Sequence, residues 1–406
     1  MAGFFRRLTG RAPAQATIAI RTVGTTSVSA TRRAPAPLWA ETTPPGPPDP
    51  QLAETIVADV CVIGLGMAGL AATLRLAEQG ADVVGIEAGP VGGGAAIRTA
   101  GILRAGLAPF HHDAIERVGR DRAVALYQAT LEELEHRRAT ADPDVRWTGS
   151  VRLASSKVEE ADCARQLEVM RRDGLPAERY SGPDGDGLLF PHDATVQPAA
   201  YTQRLAAKAR EAGARLHSFT QAQHVGERDV SGHTGEVRCR AVIVAVDGAL
   251  EQLVPALATT VRTARVQQLA TAPTRQVRVL RPVLARWGTE YWHQLADGRV
   301  IVGGAQDIAG DEQWANSFEP TETVQQHLES TLRNRINARD PAITHRWAGL
   351  TSTTADRLPR IVRLGSSTVV VGGYNGVGNV LAPMLGRAAA DLALGKASPL
   401  AELLID

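Results

Sequence analysis

The sequence predicts an α/β protein of two domains, one a layered domain of parallel strands around a dinucleotide-binding turn, the other a domain of antiparallel strands. Three observations carry this. A β-branched run leads into the glycine-rich turn VIGLGMAG at residues 62–69, and an acid, Glu87, closes the next apolar run. Residues 261–308 are dominated by alternating strands, with a hairpin turn at Asp297 and Gly298. Near the C-terminus a second buried strand, 369–371, runs into glycines and then a long helix that ends at Leu394.

Residues 57–63 read as one short buried strand, because parallel strands covered on both faces need no alternation. Gly64 permits the sharp turn that follows, Gly66 lets the backbone approach a pyrophosphate, and Gly69 lets the helix pack close to the strand. That helix opens with Met67 and Ala68, carries Leu70, Leu74 and Ala77 at helical spacing, and stops at Gly80. Its free N–H groups and dipole face the diphosphate. A strand over 82–86 then delivers Glu87 to about the place where an acid binds an adenosine ribose. A carboxylate accepts from a ribose diol but repels a 2′-phosphate, so the cofactor is FAD or NAD and not NADP.

The loop that follows, from Ala88 to residue 106, is glycine-rich and suited to laying backbone N–H groups along a cofactor. Residues 113–138 read as one amphipathic helix capped by Asp113. Residues 147–191 read as short strands and turns, 201–212 as a helix stopped by Gly213, and 215–217 as a strand. A buried strand over 237–246 ends at the polar turn Asp247, Gly248. His111 and His112 sit just before a helix. Adjacent histidines do not face one ligand site and no acid accompanies them at ligand spacing, so no metal is expected.

Composition narrows the function classes. Lys and Arg total 44 against 43 Asp and Glu, and no basic run stands out, which argues against DNA, RNA or another polyanion as partner. No apolar stretch reaches the roughly 18 residues of a membrane span. Cys61, Cys163 and Cys239 are scattered and odd in number, which argues against a disulfide framework or zinc site and fits a reducing, cytoplasmic location. Residues 1–40 hold six arginines and no acid, a composition shared by organelle transit peptides and by disordered tails of arginine-rich chains. Residues 1–51 are therefore expected to form an extension, with PPGPPDP at 44–50 as a stiff linker and folded structure starting near Leu52.

Four motifs together resemble a known family. They are the fingerprint with Glu87, IRTAGILRAGL at 97–107, VIVAVDGA at 242–249, and the tail WAGLTSTTADRLP at 347–359 with VVVGGYNGVGN at 369–379. The segment EYWHQLADGRVIVGG at 290–304 adds a substrate-domain hairpin. The pattern resembles the FAD-dependent oxidoreductases of the D-amino-acid oxidase, glycine oxidase and sarcosine oxidase superfamily, over roughly residues 59–394. The resemblance implies an FAD/NAD(P)-binding Rossmann-like domain of the glutathione-reductase type, built from 52–145, 195–255 and 345–406. An antiparallel substrate domain would comprise 146–194 and 256–344. It also implies that Gly64, Gly66 and Gly69 hold the pyrophosphate and Glu87 the ribose. Arg98, Thr99, Ala100 and Gly101 would wrap the pyrophosphate and flavin edge. The turn Tyr374, Asn375, Gly376, Val377, Gly378 would set N–H groups and a helix N-terminus against the pyrimidine end of the flavin, where reduction leaves negative charge.

The chain departs from that family in three places. Thr99, Ala100 and Gly101 stand where relatives near this branch usually have asparagine and paired glycines. Arg98 replaces the histidine of members that attach flavin covalently, and no cysteine follows Cys239, so non-covalent FAD is expected. Ile301 stands where sarcosine oxidases carry the lysine that assists oxygen.

The reaction implied is hydride transfer from the carbon beside a neutral amine to the flavin, followed by hydrolysis of the imine. Candidate catalytic residues are Tyr291, His293 and Tyr374, whose rings form a wall over the flavin and whose polar tips hold substrate. Trp292 lies on the opposite strand face, and Arg281 is a candidate carboxylate clamp. Oxidation of a hydroxy acid or glycerol 3-phosphate is the rival reaction, and a flavin-binding subunit of a heteromeric dehydrogenase a further alternative. Nothing in the sequence sets the oligomeric state.

Overall fold

The computed structural model describes residues 34–43, 46 and 48–405. Its cofactor sheet has six strands in the order Arg215–His217, Val83–Ile86, Val60–Ile63, Ala241–Val244, Thr368–Gly372, Arg360–Leu364, all parallel except the last. Val60 and Val62 face a core that includes the fingerprint helix Met67–Glu78 and the C-terminal helix Gly378–Ala393, while Cys61 and Ile63 face the opposite core. Coverage on both faces is why these strands read as continuous apolar runs. The two helices meet backbone to backbone, since a Cβ on Gly386 would lie 2.1 Å from the Ala68 carbonyl oxygen.

Two expected strands are each divided. Thr55–Val57 and Glu236–Arg238 pair in a separate small sheet, and only Val60–Ile63 and Ala241–Val244 enter the cofactor sheet. Asp59 makes the break. Its carbonyl accepts from the N–H groups of Arg240 and Ala241, and its carboxylate accepts from Asp82 N–H at 3.0 Å, so both chains bend at the same level.

The helix expected over 113–138 is two helices, His111–Val118 and Arg120–Ala139, parted at Gly119 with φ 82°. A left-handed residue ends an α-helix, and Asp113 sits in the first turn with Phe110 at the cap position. The texture of 147–191 conceals a helix, Lys157–Arg172. Ser156 Oγ accepts from Glu159 N–H at 3.2 Å and the Glu159 carboxylate accepts from Ser155 N–H at 2.8 Å, a near relative of the capping box.

The second large sheet has eight strands in the order Ile343–Thr354, Val261–Thr271, Val300–Gly304, Glu290–Gln294, Val283–Ala285, Ser150–Leu153, Gly185–Phe190, Glu178–Gly182. It is antiparallel except where Val283–Ala285 runs parallel to Ser150–Leu153. The strand Ile343–Thr354 passes through residues 344 and 345, where the change of domain was expected.

Folded structure begins before Leu52. The short helix Leu38–Thr42 buries Leu38 and Trp39. Trp39 Nε1–H donates to the Thr99 carbonyl at 2.8 Å, Arg98 donates to the Pro35 carbonyl at 3.0 Å, and Glu41 pairs with Arg299 and His345. Residues 34–43 thus cross from the cofactor loop to the second sheet. The expected extension over 1–33 lies outside the described residues. No helix among the described residues is long and apolar enough to cross a membrane.

Candidate cofactor and active site

A cavity of about 490 Å³ opens between the carboxyl ends of the parallel strands and the face of the eight-stranded sheet. That is where open α/β sheets place ligands, and the volume lies in the usual range for small-molecule sites. Gly64, Gly66, Met67 and Ala68 form one end. Gly64 takes φ +88°, and a Cβ there would meet Val246 and the Ala245 carbonyl at 2.8 and 2.9 Å. A Cβ on Gly66 would meet only Ala96, at 3.8 Å, and would project into space that a phosphate needs. Gly69 lies behind this wall, its Cβ position 1.8 Å from the Gly64 carbonyl oxygen, so it sets how closely the helix follows the strand.

Glu87 and Ala88 line the next stretch. Leu65 N–H donates to Glu87 Oε2 at 2.8 Å and Gly89 N–H to Oε1 at 3.2 Å. Burial raises the Glu87 pKa, and these backbone donors oppose the rise. The carboxylate is fixed in orientation with acceptor capacity left for a diol.

Arg98, Thr99 and Ala100 border the middle of the cavity, while Gly101 turns away from it with φ +72° against Trp39 and the Val196 carbonyl. Arg98 donates to the carbonyls of Pro35 and Ala348 and stacks over Phe318 at 4.5 Å, and burial lowers its pKa to about 10. Thr99 Oγ1 exchanges hydrogen bonds with the Asn379 amide and accepts from Gly101 N–H. Asp247 and Gly248 line the cavity beside them. Asp247 accepts from Ser352 N–H at 3.1 Å and Gly373 N–H at 3.0 Å, and burial raises its pKa to about 6. It ties the central strand to the tail.

At the far end Asn375, Gly376 and Gly378 line the cavity, with open space where a Gly376 Cβ would sit, while Val377 packs into the core. Neither the fingerprint helix nor the C-terminal helix has a side-chain cap, so the free N–H groups of two helix starts border one cavity. These residues fit a dinucleotide whose anionic groups take those donors.

The sequence candidates for catalysis separate. Tyr291 and Tyr374 line the cavity. Gln268 Nε2–H donates to the Tyr291 hydroxyl at 2.9 Å, and burial lifts the Tyr291 pKa to about 12. Gly303 leaves the room that the Tyr291 ring fills. The Tyr374 hydroxyl is buried without a hydrogen-bond partner. His293 does not border the cavity. Its Nε2–H donates to the Ala100 carbonyl at 2.7 Å, its Nδ1 has no partner, and burial lowers its pKa to about 4. It is a neutral strut under the cofactor loop. Trp292 packs into the core on the other face of the sheet, and Arg281 and Ile301 lie away from the cavity lining. His111 pairs with Asp173 and His112 with Asp162, so the two rings point to different partners.

The structure adds two residues that the sequence reading passed over, Arg104 and Arg357, both in the lining. Arg104 lies within the motif IRTAGILRAGL and follows the strand Ile102–Leu103. Neither guanidinium makes a hydrogen bond or ion pair with a described residue. Burial lowers the Arg104 pKa to about 10. The carboxylate acting on it, Asp193, already accepts from Ala105 N–H and the Ser150 hydroxyl.

A two-domain fold with a dinucleotide cradle open toward a second sheet defines a nucleotide-cofactor oxidoreductase. A family model described as FAD dependent oxidoreductase matches residues 59–392, and the chain belongs to that family. FAD is accordingly its cofactor. The chain is 25% identical to the probable oxidoreductase OrdL of Rhizobium meliloti (strain 1021), over 89% of each chain. It is 28% identical to the gamma-glutamylputrescine oxidoreductase of Escherichia coli (strain K12), over 85% of this chain and 86% of that protein. Among solved structures, glycine oxidase from Geobacillus kaustophilus superposes with a TM-score of 0.71 at 20% identity, covering 86% of this chain and 99% of that one.

Proposed function

We propose that the protein oxidises the carbon–nitrogen bond of a carboxylate-bearing amine or amino acid, with non-covalent FAD as electron acceptor. The carrying observation is the acid–base inventory of the lining, which contains no histidine or lysine among the described residues. Its two carboxylates, Glu87 and Asp247, are occupied by backbone N–H groups, and burial pushes both phenols upward. Removing hydride from an alcohol carbon requires a base for the hydroxyl proton. A neutral amine requires none, because its nitrogen lone pair forms the C=N bond as hydride leaves. Guanidinium groups nearby disfavour a bound ammonium and so favour that neutral form.

Arg104 pairs with the substrate carboxylate, and the Tyr291 ring walls the reacting carbon from water. FAD, when bound, takes up the hydride. Water then converts the imine to a carbonyl compound and releases the amine. Two relatives support the reading, since glycine oxidase and gamma-glutamylputrescine oxidoreductase are named for amines.

The test is anaerobic bleaching of the flavin absorbance by amino acids, N-methylated amino acids, polyamines and hydroxy acids, followed by air. Bleaching by amines supports the proposal, and the rate of recovery in air separates an oxidase from a dehydrogenase with another acceptor. Bleaching by hydroxy acids alone overturns it.

A further inference from the structure

Arg357 is the second cation without a counter-ion, and it is held in place at some expense. It occupies the turn between Ile343–Thr354 and Arg360–Leu364 with φ 60°, a left-handed conformation unfavourable for a long side chain. Its N–H donates to the Thr354 carbonyl at 3.0 Å, which fixes the turn. Burial lowers its pKa, and Arg117, another cation, lowers it further. The adjacent acid is not available, because Asp356 binds Arg360 Nη2–H at 2.7 Å and Leu358 N–H at 3.0 Å.

Arg357 also repels Arg104, and both line the same cavity. Arg152 lies beyond Arg104, stacked over Phe110 at 4.6 Å, and faces Glu159 and Asp193 as well as Arg104. Those two acids therefore answer Arg152 and Arg104 in part, and none answers Arg357. Arg357 is exposed by surface area although it lines the cavity, so water screens it in the ligand-free protein. Two guanidiniums without ion pairs lining one cavity nonetheless make it a place that favours anions. A single carboxylate on Arg104 leaves Arg357 unmatched.

We infer that the substrate is an amine carrying two carboxylates, one paired with Arg104 and the other with Arg357. This rests on the amine-oxidation reading above. Arg357 is thus a specificity determinant for the second acid.

The experiment uses the FAD-loaded full-length enzyme and two readouts. In the first, the unreactive acids glutarate and butyrate are titrated against the flavin visible spectrum. Glutarate is expected to bind about 30-fold more tightly than butyrate, as one more charge-assisted pair implies. In Arg357→Gln that ratio is expected to fall to near one, and in Arg357→Lys to lie between. In the second, anaerobic bleaching compares sarcosine with iminodiacetate, and both enantiomers of alanine with those of aspartate and glutamate. Faster bleaching by the diacids supports the proposal. Equal affinity for glutarate and butyrate in the unaltered enzyme overturns it, as does a ratio that Arg357→Gln leaves intact. If no amine bleaches the flavin but hydroxy diacids do, the amine reading fails while the two-carboxylate site stands.

Discussion

Arg137 donates Nη2–H to the carbonyl of Asn379 at 2.9 Å, the acceptor left free because Pro383, one turn further along the helix, has no N–H. Glu133 holds Arg137 in place at 3.2 Å and also pairs with Arg387, and the Tyr201 ring lies 4.0 Å beneath the guanidinium. The proline is therefore tolerated close to the cofactor because another helix completes the backbone there. Arg137→Met is expected to lose about 3 kcal/mol of stability, because a buried acceptor and part of a buried ion pair lose their partner. Urea unfolding of the FAD-loaded protein checks the loss, and an unchanged midpoint would sink the account.

The segment 34–43 is expected to govern how well FAD is retained. Trp39 is 2% exposed and its indole N–H holds the Thr99 carbonyl. Trp39→Ala should weaken docking of the segment by about 3 kcal/mol and loosen the Thr99 loop. The observable is flavin lost during gel filtration, greater in the variant than in the unaltered protein.

Gly69→Ala and Gly386→Ala both put a methyl group against backbone oxygen, at 1.8 and 2.1 Å from the Gly64 and Ala68 carbonyls. Backbone cannot swing aside as a side chain can. Each change should cost about 3 kcal/mol or more, and should lower the ratio of flavin to protein absorbance after purification. Gly376→Ala meets no neighbour within 4 Å, though its φ of +84° is strained, so it should affect flavin binding more than folding.

Asp193 gives a pH signature. Burial raises its pKa to about 6, above the unfolded value near 4. The folded state therefore holds a proton that the unfolded state has already released, so this group's contribution falls as pH rises from about 4 to about 6 and is constant above. The total is on the order of 3 kcal/mol. Asp193→Asn keeps an acceptor for Ala105 N–H and can donate to Ser150, so it should flatten the pH dependence of Tm in that window. A slope identical to that of the unaltered protein would remove Asp193 from the explanation.

Tyr374 separates binding from folding. Its hydroxyl is buried without a partner, so Tyr374→Phe should leave the ligand-free protein as stable or about 1 kcal/mol more so. Turnover should nonetheless fall if that hydroxyl donates to bound ligand. Thermal melts without ligand and kcat/KM on the identified substrate read the two effects apart.

Local chemistry determines much of the cofactor half, and there the sequence was readable. A turn at φ +88° needs glycine at 64, a close helix needs glycine at 69, and an acid must end the next strand, so Gly64, Gly69 and Glu87 announce themselves at fixed spacing. The helix Lys157–Arg172 was also legible in Ser156 and Glu159, although the glycine cluster at 181–187 gives the wider segment the composition of turns. Arg104 and Arg357 carried no local signal in a chain so rich in arginine. What distinguishes them is the absence of a partner, a property of tertiary placement. His293 failed for the converse reason, since alternation assigns it the face of Tyr291 but cannot foresee that the Ala100 carbonyl closes over it.

The strand order also constrains how the enzyme comes into being. Ala241–Val244 sits between Val60–Ile63 and Thr368–Gly372, so the nucleotide cradle is made of pieces about 300 residues apart in sequence. A nascent polypeptide that has not yet emitted Gly378–Ala393 exposes the apolar flank of the fingerprint helix and offers the flavin only half a binding site. Flavin capture must then wait until residues 378–393 have been made, and until then the uncovered flank is the kind of apolar surface that exposes a folding chain to aggregation.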